Sequence, residues 1–227
     1  MSGQRDVRGG PAVTVLAATE VEALPLRRRL RRNPEVRVTR SGVGLSRWTA
    51  VNDGLLLSCG LAGALGADLP TGTVVIPDEV GLGGAATTVC DAAAVARLRD
   101  AARRCGVDPH VGPLLTVDHL VSGAERVLWW GRGYAAVDME SGRLGERGAA
   151  FAAVRVILDT PHRELSGAWS TPLRAITRPR RWPEALWLAR VAPRLCDLVA
   201  RIVVEAFSQT PTAPARGRSE PPARPAW

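Results

Sequence analysis

AAVDMES (Ala135–Ser141) and, a little further on, FAAVRVILD (Phe151–Asp159) are the stretches that decide how this chain folds. Each is an apolar run followed at once by acidic residues. Phe151–Leu158 shows no helical spacing and is rich in β-branched side chains, which reads as a strand buried on both faces. Working outward, Val13–Ala17, Leu55–Ser58, Thr73–Ile76, Leu114–Val117 and Ala135–Val137 read as further core strands. Helical patterns lie between them. Thr19 opens one, Ala92–Arg104 is another with an arginine-rich face, and a long helix runs from about Pro183 to Phe207. This alternation predicts an α/β protein: a single-domain, three-layer α/β/α fold with a mainly parallel, twisted central sheet. A length of 227 residues suits one such domain. Residues 1–11 read as a flexible N-terminal tail, 12–207 as the domain, and 208–227 as a disordered Pro/Arg-rich C-terminal tail.

Composition removes several function classes. The net charge of +8 comes entirely from arginine, because the chain has no lysine. Without lysine there is neither a Walker A phosphate loop nor a Schiff-base lysine. Abundant Ala, Arg, Gly and Pro point to a GC-rich coding bias as the source of the charge, and no nucleic-acid-binding motif accompanies it. Cys59, Cys90, Cys105 and Cys196 are scattered, with no CxxC pair, so neither a zinc site nor a disulfide framework is expected. His110, His119 and His162 are not at metal-ligand spacing, so no metal is expected. With no apolar run of membrane-spanning length and no secretory h-region, the expectation is a cytoplasmic protein.

In open α/β sheets ligands bind beyond the ends of strands, and acidic residues stand there. Asp138, Met139 and Glu140 follow one strand and Asp159 follows another. Carboxylates at such positions are costly unless they bind something. Desolvation there raises a carboxyl pKa, as a general acid requires. The plainer reading is that Asp159 and Glu140 cap the next turns. Near the N-terminus Glu20 and Glu22 follow the first strand, where Thr19 and Glu22 fit a capping box. Ser41–Gly44 (SGVG) and Cys59–Gly66 (CGLAGALG) read as glycine-containing turns after strands, able to bring backbone N–H groups close to a ligand.

In order along the chain, the Glu-bearing first turn, SGVG, GLAGAL, VDMES and RVILD resemble the purine nucleoside phosphorylase and methylthioadenosine/adenosylhomocysteine nucleosidase superfamily. Within it, GLAGAL, VDMES and RVILDTPHREL are most similar to the hopanoid-associated phosphorylases. The resemblance implies cleavage of a purine N-glycosidic bond, with adenosylhopane as the substrate suggested by that branch. It implies that Asp159 protonates the departing base at N7, that Glu140 accepts hydrogen bonds from the ribose hydroxyls, and that Met139 packs on the sugar. It places Glu22 where nucleosidases keep the glutamate that activates water. Asp138, Ala62 and Gly63 complete the expected substrate site.

Three departures stand beside the resemblance. Ser58 and Leu61 occupy places where phosphorolytic relatives often keep phosphate anchors, which leaves Ser41, Gly42 or an arginine such as Arg27 to hold phosphate or water. Leu158 precedes the Asp where many relatives have Ser. The Glu140–Asp159 segment is about one helical turn short. No cofactor is expected, with inorganic phosphate open as a co-substrate. Two other readings stay open: a nucleosidase for a soluble thioadenosine, and a catalytically idle nucleoside-binding or membrane-associated homologue. Arg178–Phe207, basic and bearing Trp182 and Trp187, suits either a packed final helix or peripheral contact with an acidic membrane face. A homo-oligomer is also open. Asp159 and Glu140 are expected at one sheet edge, facing a common cleft.

Overall fold

The computed structural model describes residues 12–49, 54–84, 86–166 and 182–208. The expected N-terminal tail lies outside these residues, as does the C-terminal tail apart from Ser208. Of the basic, Trp-bearing stretch Arg178–Phe207, residues 178–181 lie outside them too. In chain order the elements are β1 (Val13–Ala17), α1 (Glu20–Leu30), β2 (Val36–Arg40), β3 (Leu55–Ala64), β4 (Val74–Val75), β5 (Glu79–Leu82), β6 (Ala86–Val89), α2 (Ala92–Arg104), β7 (Leu114–Thr116), α3 (Ala124–Gly131), β8 (Ala136–Asp138), α4 (Gly142–Gly145), β9 (Phe151–Asp159) and α5 (Trp182–Phe207). The fold is α/β, with helices flanking one mixed, mainly parallel sheet.

The strands follow the order β2-β1-β3-β8-β7-β5-β6, with β9 paired to β3 and to β4. β9 is buried along its whole length and runs parallel to β3. Its apolar side chains, with those of β1 and β3, form the main core against α1, α2 and α5. Alternation in β7 and β8 sends Leu114 and Ala136 into this core, and Leu115 and Val137 into a second cluster around Trp129 of α3.

Two features depart from the sequence reading and shape the site. CGLAGALG is not a turn after a strand: β3 continues through it to Ala64. Its small residues make room for side chains arriving from elsewhere. A Cβ at Gly60 would overlap the Glu22 carboxylate and stand 2.8 Å from Arg155 Nη1. A Cβ at Gly63 would stand 2.9 Å from Asp159 Oδ1. Second, β8 runs antiparallel to β3, and Gly63 is the register partner of both Val137 in β8 and Asp159 in β9. Asp138 and Asp159 therefore flank β3 from opposite sides. As the chain leaves β8 it runs back along β3, which carries Glu140 towards Gly60 and the β9 partner of Gly60, Arg155.

Candidate active site

Glu22 performs the local task that its spacing predicts. Thr19 is the N-cap of α1; its hydroxyl accepts from the Glu22 N–H, and Glu22 Oε2 accepts from the Thr19 N–H and from its hydroxyl, both at 2.8 Å. The capping box leaves the other carboxylate oxygen over for a second task. Glu22 Oε1 accepts from the Leu61 N–H of β3 at 2.9 Å. This contact exists because Gly60 offers no side chain to block it.

Glu140 sits over a buried guanidinium. Its Oε1 accepts from the Gly44 N–H at 3.0 Å and its Oε2 from Arg155 Nη2 at 3.4 Å. Gly44, with φ at +62°, and Leu45, with φ at +61°, hold the preceding turn in the left-handed region. That conformation suits Gly44 and strains Leu45. Burial pushes the Glu140 carboxyl up to about 7, with Arg155 pulling it down and Asp138 adding to the rise. Arg155 also donates to Ser58 Oγ at 2.6 Å and Ser141 Oγ at 3.1 Å, and pairs with Asp138 at 2.6 Å. Asp138 is occupied in turn by the Thr116 hydroxyl, the Ser141 hydroxyl and the Ser141 N–H. Its side chain has no exposed surface. Asp138 thus anchors Arg155 and the start of α4.

Asp159 ends β9 against a second buried arginine. Arg126 of α3 contacts its carboxylate through Nη2 and donates through Nη1 to the Ala64 carbonyl. Burial raises the Asp159 carboxyl above its ordinary range; Arg126 acts in the opposite sense without cancelling it.

Glu22, Glu140 and Asp159 meet at one cavity of about 220 Å³. Thr19, Ala62, Gly63, Asp138 and Met139 border it, and Val43, Leu61, Leu120, Val137, Leu158 and Leu165 supply apolar wall. Ser41 and Gly42 do not line it. Ser41 is buried and its hydroxyl donates to the Gly42 carbonyl. Arg27 lies away from the cavity, paired with Glu20. Glu140 and Asp159 share the cavity although β8 and β9 do not pair with each other; the expectation of a common cleft is met by way of β3, not by a common strand edge.

The sequence profile of the phosphorylase superfamily matches residues 45–203, more than half of the chain. The chain belongs to the phosphorylase superfamily. That membership places it among enzymes that cleave N-glycosidic bonds. Solved structures carry the same fold at low identity. A 5′-methylthioadenosine/S-adenosylhomocysteine nucleosidase of Helicobacter pylori superposes with a TM-score of 0.67 at 14% identity, covering 88% of this chain and 99% of that one. The corresponding nucleosidase of Neisseria meningitidis, in complex with methylthio-immucillin-A, gives 0.66 at 16%, covering 86% and 98%. A futalosine hydrolase mutant of Helicobacter pylori gives 0.65 at 12%, covering 86% and 98%. No curated protein matches the chain in sequence.

Two buried arginines of this superfamily member escape a reading of sequence alone. Arg155 did leave a signal, as a lone cation in an otherwise apolar strand, which must find buried carboxylates. Arg126 left none, because an arginine in a short helix such as AERVLWWG reads as solvent-facing.

Proposed function

We propose that this protein hydrolyses the N-glycosidic bond of an adenosyl nucleoside, releasing adenine. The observation that carries the proposal is the meeting of Glu22, Glu140 and Asp159 at one small, mostly apolar cavity. In this reading Asp159 gives a proton to purine N7 as the C1′–N9 bond breaks, and Glu140 accepts from the ribose hydroxyls. Glu22 takes a proton from the water that adds to C1′. The sugar passes through an oxocarbenium-like state, which the nearby carboxylates stabilise. Met139 packs on the sugar, and Ala62 and Gly63 let the nucleoside approach β3.

Water fits this cavity better than phosphate. Glu22, Asp138, Glu140 and Asp159 all border it, and among the described residues no arginine does. Both guanidinium partners of these acids are already engaged, Arg155 by Asp138, Glu140, Ser58 and Ser141, and Arg126 by Asp159 and the Ala64 carbonyl. A phosphate dianion would meet these acids with no free cation among the described residues to hold it there.

The cavity volume also bears on the 5′ substituent. At about 220 Å³ it is below the ~300 Å³ lower end of small-molecule sites, so a large substituent must lie outside it. A groove of about 270 Å³ between Arg163–Ser166 and the start of α5 shares Leu165 with the cavity. Beyond it Trp182 and Leu186 are exposed. The groove is of mixed character, with Leu165, Pro183 and Trp187 beside Arg163, Glu164, Ser166 and Glu184, and it offers a 5′ substituent a way out of the cavity. Adenosylhopane is the candidate by the sequence resemblance, and α5 would then rest on the membrane that holds it.

The test is to incubate the protein with methylthioadenosine and with adenosylhopane, each with and without phosphate, in ¹⁸O-water. The proposal expects adenine release independent of phosphate, with ¹⁸O in the sugar and the tailed substrate preferred. A strict phosphate requirement contradicts hydrolysis. Preference for methylthioadenosine returns the assignment to a soluble thioadenosine, and no adenine from either substrate leaves a nucleoside-binding homologue.

A further inference from the structure

We propose that Arg126 is a positioning residue of this site, holding the Asp159 carboxylate in the cavity wall and supplying the charge against which it gains and loses its proton. The catalytic part of this inference rests on the reading of Asp159 as the acid. The structural part does not.

Arg126 is 2% exposed, on the helix that follows β7. Its three nitrogens reach three different segments. Nη2 contacts Asp159 at the end of β9, and Nη1 donates to the Ala64 carbonyl at the end of β3. Nε lies 3.2 Å from Glu164 Oε1 in the loop after β9, and the same oxygen accepts from the Gly123 N–H at 2.7 Å. One guanidinium therefore holds the acid and the strand beside it by direct contact, and its Nε pairs by charge, without a hydrogen bond, with the loop that brings Leu165 to the cavity. Arg126 is not part of the cavity lining and Asp159 is, so Arg126 acts through Asp159. Gly63 makes room for the pair, since a Cβ there would stand 2.9 Å from Asp159 Oδ1 and 3.4 Å from Arg126 Nη1.

An apolar side chain at position 126 would fill the space without the desolvation that a buried cation costs. It could not orient a carboxylate. A planar guanidinium can, because its donors are fixed in direction. During base release the proton moves from Asp159 to N7 and Arg126 keeps its charge. The carboxylate left behind then faces its counter-ion, which favours departure of the protonated base.

The direct test is ¹³C NMR of the full chain labelled at aspartate carboxyl carbons, with Asp159→Asn to assign the Asp159 signal. Arg126→Gln and Arg126→Lys are compared with the parent. Removing a cation in contact with a carboxylate raises its titration point by ~1–3 pH units, and this is expected for Arg126→Gln. Arg126→Lys keeps the charge and should titrate near the parent. Its compact ammonium cannot span Ala64 and Glu164 as well, so turnover on methylthioadenosine should fall by about 10-fold or more. The basic limb of the pH–rate profile should move upward in Arg126→Gln by the same amount as the NMR titration, a change that loosened packing alone would not produce. Unchanged Asp159 titration in Arg126→Gln overturns the proposal. So does parental turnover in Arg126→Lys, which also decides the matter where the glutamine variant fails to fold. A moved titration with an unmoved pH–rate limb supports the Arg126 role and removes Asp159 from the acid role.

Discussion

Glu22 shows how one side chain can serve fold and chemistry together. The two carboxylate oxygens divide the work: Oε2 closes the capping box on Thr19, and Oε1 binds the Leu61 N–H at the cavity. Glutamine usually suits the last capping-box position, but here both oxygens accept from backbone N–H groups. The amide NH₂ of Glu22→Gln must face one of them. An unsatisfied buried donor costs about 1–3 kcal/mol, so the variant should melt at lower temperature, and its adenine release per folded molecule should still fall much further than its stability. Parental turnover in folded Glu22→Gln would leave Glu22 with the cap alone. Glu140 yields a prediction in pH. Its native pKa of about 7 stands above the ordinary value of 4.5. A carboxyl raised in this way adds stability that is present in full below the unfolded pKa and lost as pH rises through the native one. Between about pH 5 and about pH 8 the parent should lose stability relative to Glu140→Gln, which has no proton to release. Parallel melting curves across that range would contradict the assignment.

At the scale of elements, β3 is the piece on which the site is built. Glu22 bonds to its Leu61 N–H, Arg126 to its Ala64 carbonyl, and Gly63 lies between β8 and β9. Gly60→Ala should therefore be disproportionately harmful. The new methyl group would overlap the Glu22 carboxylate and crowd Arg155. Overpacking of this kind costs about 1–3 kcal/mol, and activity should fall with the displacement of Glu22. A variant that melts and turns over like the parent would show that Glu22 does not need that space. Strand β9, helix α2 and the Thr19 cap were legible in the sequence because apolar runs and capping patterns are local. The extension of β3 through GLAGA was not, since Gly and Ala read as a turn until the side chains from α1 and β9 that need the space are known. The reversed direction of β8 was likewise invisible, because strand direction is a property of pairing and not of a three-residue run. Helix α3 hid its buried arginine for the same reason.

At the scale of the molecule, the mixed sheet gathers acids from three distant parts of the chain and sets a buried arginine behind each half of the cavity. Arg155 stands behind Glu140 and Arg126 behind Asp159. Acids alone would leave a repulsive cavity; the two guanidinium groups balance it from below without lining it. Among the described residues no helix is long and apolar enough to cross a membrane, so a lipid-borne substrate would be met at a surface such as the one carrying Trp182 and Leu186. The central claim is that Asp159 is the acid of an adenine-releasing site, and the most direct measurement is free adenine formed from adenosyl substrates by the parent and by folded Asp159→Asn. The account predicts release by the parent and a loss of ~10²–10⁴-fold in the variant, the range expected when a general acid is removed. Turnover by Asp159→Asn close to that of the parent would contradict it.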